Sequence, residues 1–359
     1  MNEGLICVPP ARTRSTFRSS CWIWVGTTAL LLAAPFSEAG AQAGAYSRMG
    51  FGARGIAMSN GLVADVSGFA SPYYNPALAP FTAEQNIEGT VALMSMDRQL
   101  QFLQFSTPLQ PRAGIAAGLI HAGVGSIDGR DASGYHTQDY STDEFAVFVA
   151  FGSRLTERLA AGVAFQIFRA DFLEGLTASN SIGIDLGVLF QATEALSVGL
   201  ALDDLLARYT WDTSGVFGSS GKTTRDNFPV RLRLGISHSL LDARARISAE
   251  YETRFTSSEF RQSDIRVIGG APVETTESER LLRHAGQVRL GGEYLFNDVF
   301  GIRAGLDQVT PNEVGGVKPG LGFTLAYPVG NLKLRADYAF VVEPYAVGTL
   351  HFVTMRVAL

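Results

Sequence analysis

The chain has 359 residues, with 29 Lys and Arg against 34 Asp and Glu and a formal charge of -5, so it lacks the basic surface that a nucleic-acid partner requires. Both cysteines, Cys7 and Cys21, lie near the N-terminus, which leaves the remainder without a disulfide, a thiolate metal site or a cysteine nucleophile. Beyond residue 43 no apolar run approaches the roughly 20 residues of a membrane helix, so any membrane crossing there has to use strands.

Residues 1–43 have the layout of a secretory signal. Arg12, Arg14 and Arg18 precede the uncharged run Cys21–Ala34, which ends at Pro35, and small residues in AGAQA (39–43) offer a cleavage site. Cleavage there removes three arginines and two acids, moving the formal charge to -6, and takes away Trp22 and Trp24, so Trp211 is the one tryptophan of the mature chain. The next stretch, GFGARGIAMSNG (50–61), spells G-x-G-x-x-G through Gly50, Gly52 and Gly55. A dinucleotide fingerprint needs a buried strand before it and an acid about 20 residues beyond it. Only GAYSRM separates the cleavage site from the glycines, and nothing acidic lies between Asp65 and Glu84. Nucleotide binding is excluded.

From residue 86 onward the recurring signal is period-two alternation. In ARISAEYETRF (245–255), Ile247, Ala249, Tyr251 and Phe255 share one face, and Arg246, Ser248, Glu250, Glu252 and Arg254 share the other. The same split occurs in QVRLGGEYLF (287–296) and NLKLRADYAF (331–340). The pattern predicts an all-β chain of about fourteen strands, near 86–96, 99–107, 112–124, 142–153, 158–171, 180–191, 195–203, 228–239, 244–256, 285–296, 298–308, 318–328, 331–341 and 347–359. A soluble sandwich also alternates, but connection length separates the two. RLTER, QATEA, LLDAR, FND and PVGN are short, while 125–141, 204–227 and 257–284 are long, with 172–179 and 309–317 between these extremes. Tight turns at one end and long loops at the other describe a transmembrane antiparallel barrel of the outer membrane, and an even strand number returns both termini to the periplasmic side. The last strand ends in Leu359 rather than an aromatic residue.

The inward faces differ around the predicted ring. The eighth strand places Arg231 and Arg233 inward, the ninth Arg246, Glu250, Glu252 and Arg254, the tenth Arg289 and Glu293, the eleventh Arg303 and Asp307, and the thirteenth Lys333, Arg335 and Asp337. Strands three to seven offer Gly, Ala and Phe instead, including Gly118, Ala164, Phe168 and Gly187. Interleaved signs point to ionic pairing in a wet lumen rather than to paired catalytic carboxylates. The five histidines, His121, His136, His238, His284 and His351, show no metal spacing, and no serine sits in G-x-S-x-G. Neither a cofactor, a metal nor an enzymatic activity is expected. The connection 204–227 is unusually apolar for an outer loop. Its Leu205, Leu206, Tyr209, Trp211, Val216 and Phe217 either pack on the barrel rim or bind a hydrophobic ligand or a protein.

The segment GFGARGIAMSNGLVADVSGFASPYYNPALAP (50–80) resembles the N-terminal region of FadL-like outer-membrane proteins, and particularly of the PorV/PorQ family. The matching residues are Gly52, Arg54, Ala57, Ala64 and Asp65, with Asn75, Pro76, Ala77 and Leu78 in an NPA turn. The resemblance implies that residues 44–85 form a hatch inside a barrel of residues 86–359. Glycines suit tight packing, and Asn75 with Pro76 suits a sharp turn. Apolar residues such as Ile56, Leu62, Phe69 and Tyr73 would gain nothing in a solvated tail. Two functions are implied for a monomeric barrel in outer-membrane lipid. One is passive uptake of a hydrophobic small molecule, the other the holding of secreted protein cargo at the cell surface by a type IX secretion apparatus.

Overall fold

The computed structural model describes residues 42–173, 175–268, 271–309, 316–330, 332–343 and 348–359. The expected signal, 1–43, lies outside them but for its last two residues. The alternating segments pair antiparallel into a closed sheet. In chain order they are β1 (Asn86–Leu93), β2 (Arg98–Leu109), β3 (Ala113–Arg130), β4 (His136–Arg154), β5 (Leu159–Asp171), β6 (Ser179–Gln191) and β7 (Leu196–Leu205). A hairpin of β8 (Arg208–Asp212) and β9 (Thr223–Asn227) follows. The ring continues with β10 (Val230–Leu240), β11 (Ala245–Ile268), β12 (Ala271–Leu295), β13 (Phe300–Val309), β14 (Lys318–Val329), β15 (Leu332–Val342) and β16 (Thr349–Ala358). Leaving out the separate β8–β9 hairpin, fourteen strands make the barrel, each beside its neighbour in sequence. β1 closes it on β16, from Asn86 opposite Ala358 to Leu93 opposite His351. Closure leaves no edge whose N–H and C=O groups would face lipid unpaired.

The two faces separate as the alternation predicts. Phe165, Ile167, Leu234, Ile247, Leu321 and Met355 point outward and are exposed, while Gln104, Gln166, Arg233, Glu250, Arg303 and Thr354 point inward and are buried. Near the short-turn end, on the outside, Tyr294 meets Phe296 edge-on at 4.9 Å and Phe296 stacks on Phe300 at 5.5 Å, as in the aromatic girdle at a membrane interface.

Two of the predicted long loops are largely strand. β3 and β4 continue as a ribbon to Arg130 and from His136, and β11 and β12 continue to Ile268 and from Ala271. In the β3–β4 ribbon both faces meet water, so hydrogen bonding continues where no apolar face remains for the sequence to reveal. The third long connection carries β8, β9 and two short helical turns, Ser214–Phe217 and Gly218–Ser220.

Depth in the membrane sets the cost of an outward charge. Leu234→Arg, midway along β10, is expected to lower folding stability in lipid vesicles by about 2 to 4 kcal/mol, whereas Leu241→Arg in the following turn costs about 0 to 1. Urea titrations of heat-modifiable mobility measure both. Equal losses would mean that the band is misplaced.

Candidate functional site

Residues 45–82 place most of their side chains in buried positions and meet strands from around the ring. A short helix, α1 (Gly52–Ala57), contacts β1 and β13 to β16. Gly52 opens it at φ +70°, a left-handed conformation that favours glycine. The Ala53 N–H donates to Thr354 Oγ1 at 2.7 Å. Arg54 reaches two carboxylates, with Nη1 2.6 Å from Asp65 Oδ2 and Nη2 2.7 Å from Glu293 Oε2. Asp65 Oδ1 also accepts from Arg246 Nη1 at 2.7 Å. Burial pushes the Asp65 carboxyl up, but the two guanidiniums outweigh it and hold the group below its ordinary range.

The remaining inward charges extend this network. Arg303 joins Glu293 to Asp337, both at 2.7 Å. Arg289 Nη1 lies 2.8 Å from Glu250 and from Glu252, and its Nε is 3.1 Å from Asp307. Arg254 caps Glu252. Arg233 pairs with Asp203 at 2.6 Å and Arg231 with Asp204 at 2.9 Å. Asp203 and Asp204 were missing from the sequence-derived set, although Asp203 falls on the inward phase of its strand. The expected wet lumen is corrected: Glu250, Glu252, Arg233, Arg289 and Arg303 are almost wholly buried. The N-terminal segment displaces the solvent, as where Val63 N–H donates to Glu250 Oε2 at 3.1 Å.

The small-residue wall receives the other half of that segment. Pro76–Phe81 forms a 3-10 turn against β2 to β6. Asn75 caps it by accepting from Ala77 N–H at 2.9 Å, and donates to Val63 O at 2.8 Å; Pro76 at the first position has no N–H to satisfy. A Cβ on Gly187 would lie 1.9 Å from Asn75 Oδ1, and one on Gly162 would lie 2.4 Å from the Pro76 carbonyl carbon. Those glycines are the reason the turn can lie against the wall.

The apolar outer connection divides its six candidate residues. Asp204 and Leu206, at φ +61° and +70°, turn the chain away from β7 just around Leu205, which is half-buried. In β8, Tyr209 and Trp211 then face the barrel and are 1% and 8% exposed. Trp211 stacks on Phe172 at 5.0 Å and donates from Nε1 to Asp226 at 2.8 Å. Tyr209 meets Phe228 edge-on at 4.9 Å, and Phe228 lies 4.8 Å from Phe168. Its phenol donates to Glu144 at 3.3 Å, and burial, reinforced by that carboxylate, pushes the phenol above its ordinary range. Ser181 and Ser179 accept the N–H groups of Arg208 and Thr210, each at 2.8 Å, tying the hairpin to β6. Leu206 and Phe217, by contrast, are 68% and 64% exposed, and Val216 is exposed beside them. A second aromatic group lies deeper, where Phe51 stacks on Tyr73 at 4.4 Å and Tyr73 meets Phe148 at 5.3 Å.

The ligand-type atoms of Asp128, His136 and Asp139 lie within 4.8 Å of one another on the exposed β3–β4 ribbon. In a regular strand His136 and Asp139, three residues apart, would face opposite ways. A bulge corrects this: Asp128 opposes Asp139 and Arg130 opposes His136, so two residues stand opposite Gly129. No spacing within one strand could reveal the grouping.

No family model matches the sequence, and no curated protein sequence matches it. The fold is similar to that of known structures. For the Ralstonia pickettii toluene transporter TbuX the identity is 15%, with 86% of this chain and 97% of that chain covered and a TM-score of 0.54. For the Pseudomonas putida toluene transporter TodX the values are 14%, 86%, 96% and 0.56. For a Pseudomonas aeruginosa FadL homologue they are 13%, 85%, 96% and 0.51. The chain thus has a FadL-like fold, a fourteen-stranded barrel of the outer-membrane type.

Asp65→Asn takes one carboxylate from two buried guanidiniums and is expected to cost about 3 to 5 kcal/mol. Glu84→Gln, which removes an exposed partner of Lys333, should cost under about 1 kcal/mol. Urea midpoints in vesicles compare them, and an unchanged midpoint for Asp65→Asn would show that these pairs do not hold the segment.

Proposed function

We propose that this protein is a bacterial outer-membrane channel for the passive uptake of small hydrophobic molecules, with residues 44–85 acting as its hatch. The single observation that carries this is the apolar, aromatic side of an otherwise charge-paired interior. The outer hairpin sets Tyr209 and Trp211 on that side, and Phe51, Tyr73 and Phe148 lie deeper. The fold supports the same function, since TbuX and TodX are described as toluene transporters. In this proposal Leu206, Val216 and Phe217 meet the ligand at the surface, and Leu205, Tyr209 and Trp211 receive it when the hairpin loosens. One chain closes the wall, so a monomer suffices. No covalent chemistry is required, and the gradient across the membrane drives entry.

The finer kinship to the PorV/PorQ family belongs to the proposal as its rival. It would make the same exposed residues a seat for secreted protein cargo in a type IX system.

With the N-terminal residues 1–43 removed, Trp211 is the sole indole, so binding can be followed without a label. In nanodiscs, toluene or a long-chain fatty acid should shift or quench its emission, whereas a sugar of similar size should not. Trp211→Ala with Leu206→Ala should weaken uptake, the indole contact contributing about 1 to 3 kcal/mol. A response to a secreted protein and to no hydrophobic ligand would replace transport by cargo binding. Removal of residues 44–80 should yield a barrel that conducts ions in a planar bilayer while the whole mature chain stays nearly closed. Equal conductance would sink the hatch.

A further inference from the structure

Nearly every buried carboxylate of the interior is ion-paired with an arginine, from Asp65 beside α1 to Asp337 on β15. Among the described residues Asp185 is the buried acid that has no such pair. It projects inward from β6 and is 4% exposed. One of its oxygens accepts the Asp204 N–H at 2.8 Å, and the other contacts the Gln166 side-chain amide. Both neighbours carry a buried oxygen without a hydrogen-bond partner, Asp204 Oδ1 and Gln166 Oε1. The nearby guanidiniums are already shared: Arg231 among Asp203, Asp204 and Glu252, and Arg233 between Asp203 and Glu250.

An ionised carboxylate buried without a counter-charge is strongly disfavoured, and orphan acceptors beside it add to the cost. A proton on Asp185 would supply a single donor and leave at least one orphan oxygen unsatisfied. A cation beside Asp185 would supply the missing charge and take the bare oxygens of Asp204 and Gln166 as ligands. We propose that Asp185, Asp204 and Gln166 form an oxygen-only site for a hard cation, calcium or sodium, where β7 leaves the barrel for the outer hairpin. Carboxylate and amide oxygens suit such ions. Bound there, the ion ties β5, β6 and the end of β7 together beside Ser181, which accepts the Arg208 N–H of the hairpin. The site does not depend on the transport proposal, and it differs from the exposed Asp128, His136 and Asp139 group in being buried and free of nitrogen donors.

The test uses the full-length protein in nanodiscs after chelation, with Asp139→Asn introduced throughout to disable the exposed group. Calcium titrated calorimetrically should bind at one saturable site. Asp185→Asn should weaken it at least about tenfold, because affinity at such sites follows ligand charge. The asparagine amide can donate to Gln166 Oε1, so this variant should fold, as heat-modifiable mobility would verify. Sodium that competes with calcium, or raises the melting temperature at constant ionic strength against choline, identifies itself as the resident ion; calcium binding without competition identifies calcium. Unchanged calcium affinity in Asp185→Asn would overturn the site. So would a wild-type protein that responds to neither ion while Asp185→Asn melts at or above its temperature, which would leave the carboxyl holding a proton.

Discussion

In hydrocarbon, no water is at hand for a backbone N–H or C=O, so every such group must find its partner within the protein. The strands therefore close, and the pairing of β1 with β16 completes the ring. Everything else about the molecule answers to that closure. Alternation along each strand becomes a lipid face and an inner face, and a one-residue slip would exchange them. Eight strands make a ring that side chains alone can fill, but width grows with strand number. Fourteen strands leave space, and residues 45–82 bring further buried side chains into contact with the inner faces.

The inner faces meet that segment by two physical routes. On β3 to β6 the contact is steric: glycines let the Asn75–Phe81 turn approach the strand backbones as closely as Gly187 permits. On β10 to β16 the contact is also electrostatic: Arg246 reaches Asp65 and Glu293 reaches Arg54, beside Arg231, Arg233, Arg289 and Arg303, which each touch more than one carboxylate. Desolvation makes such pairs roughly neutral in net stability against well-packed apolar residues, while the loss of one partner is severe. Specific placement, more than gross stability, is what this wall provides. Asp65 shows it, because one carboxylate on the segment is shared by Arg54 beside it and Arg246 on β11.

The outer hairpin joins these features to the proposed function. Its backbone bonds to Ser179 and Ser181 hold it on β6, and its two inward aromatics continue the apolar side of the interior. Stacked rings bury much area with few torsions to fix, so the hairpin can be ordered without a large core of its own. Its exposed Leu206 and Phe217 have no such packing, which separates a structural half of the loop from a half free to meet other molecules.

The sequence by itself determined the class of fold, the strand number and which residues of each strand face inward, because alternation and connection length are local properties that any pairing must respect. It also marked Arg54, Asn75 and Pro76 before any partner was visible. The tertiary structure alone decided what those residues touch. Arg54 and Glu293 stand 239 positions apart, and no local pattern reports a pair at that separation. Asp203 ends a predicted strand and Asp204 begins the apolar connection, and they became arginine partners only where β7 meets β10. Tyr209 and Phe217 had the same character in one loop, yet one is buried and the other exposed, because the side of a hairpin that meets the barrel is set by how the hairpin docks. Likewise a bulge opposite Gly129 gathered Asp128, His136 and Asp139 on one face, since register between strands is decided by pairing and not by spacing within either strand.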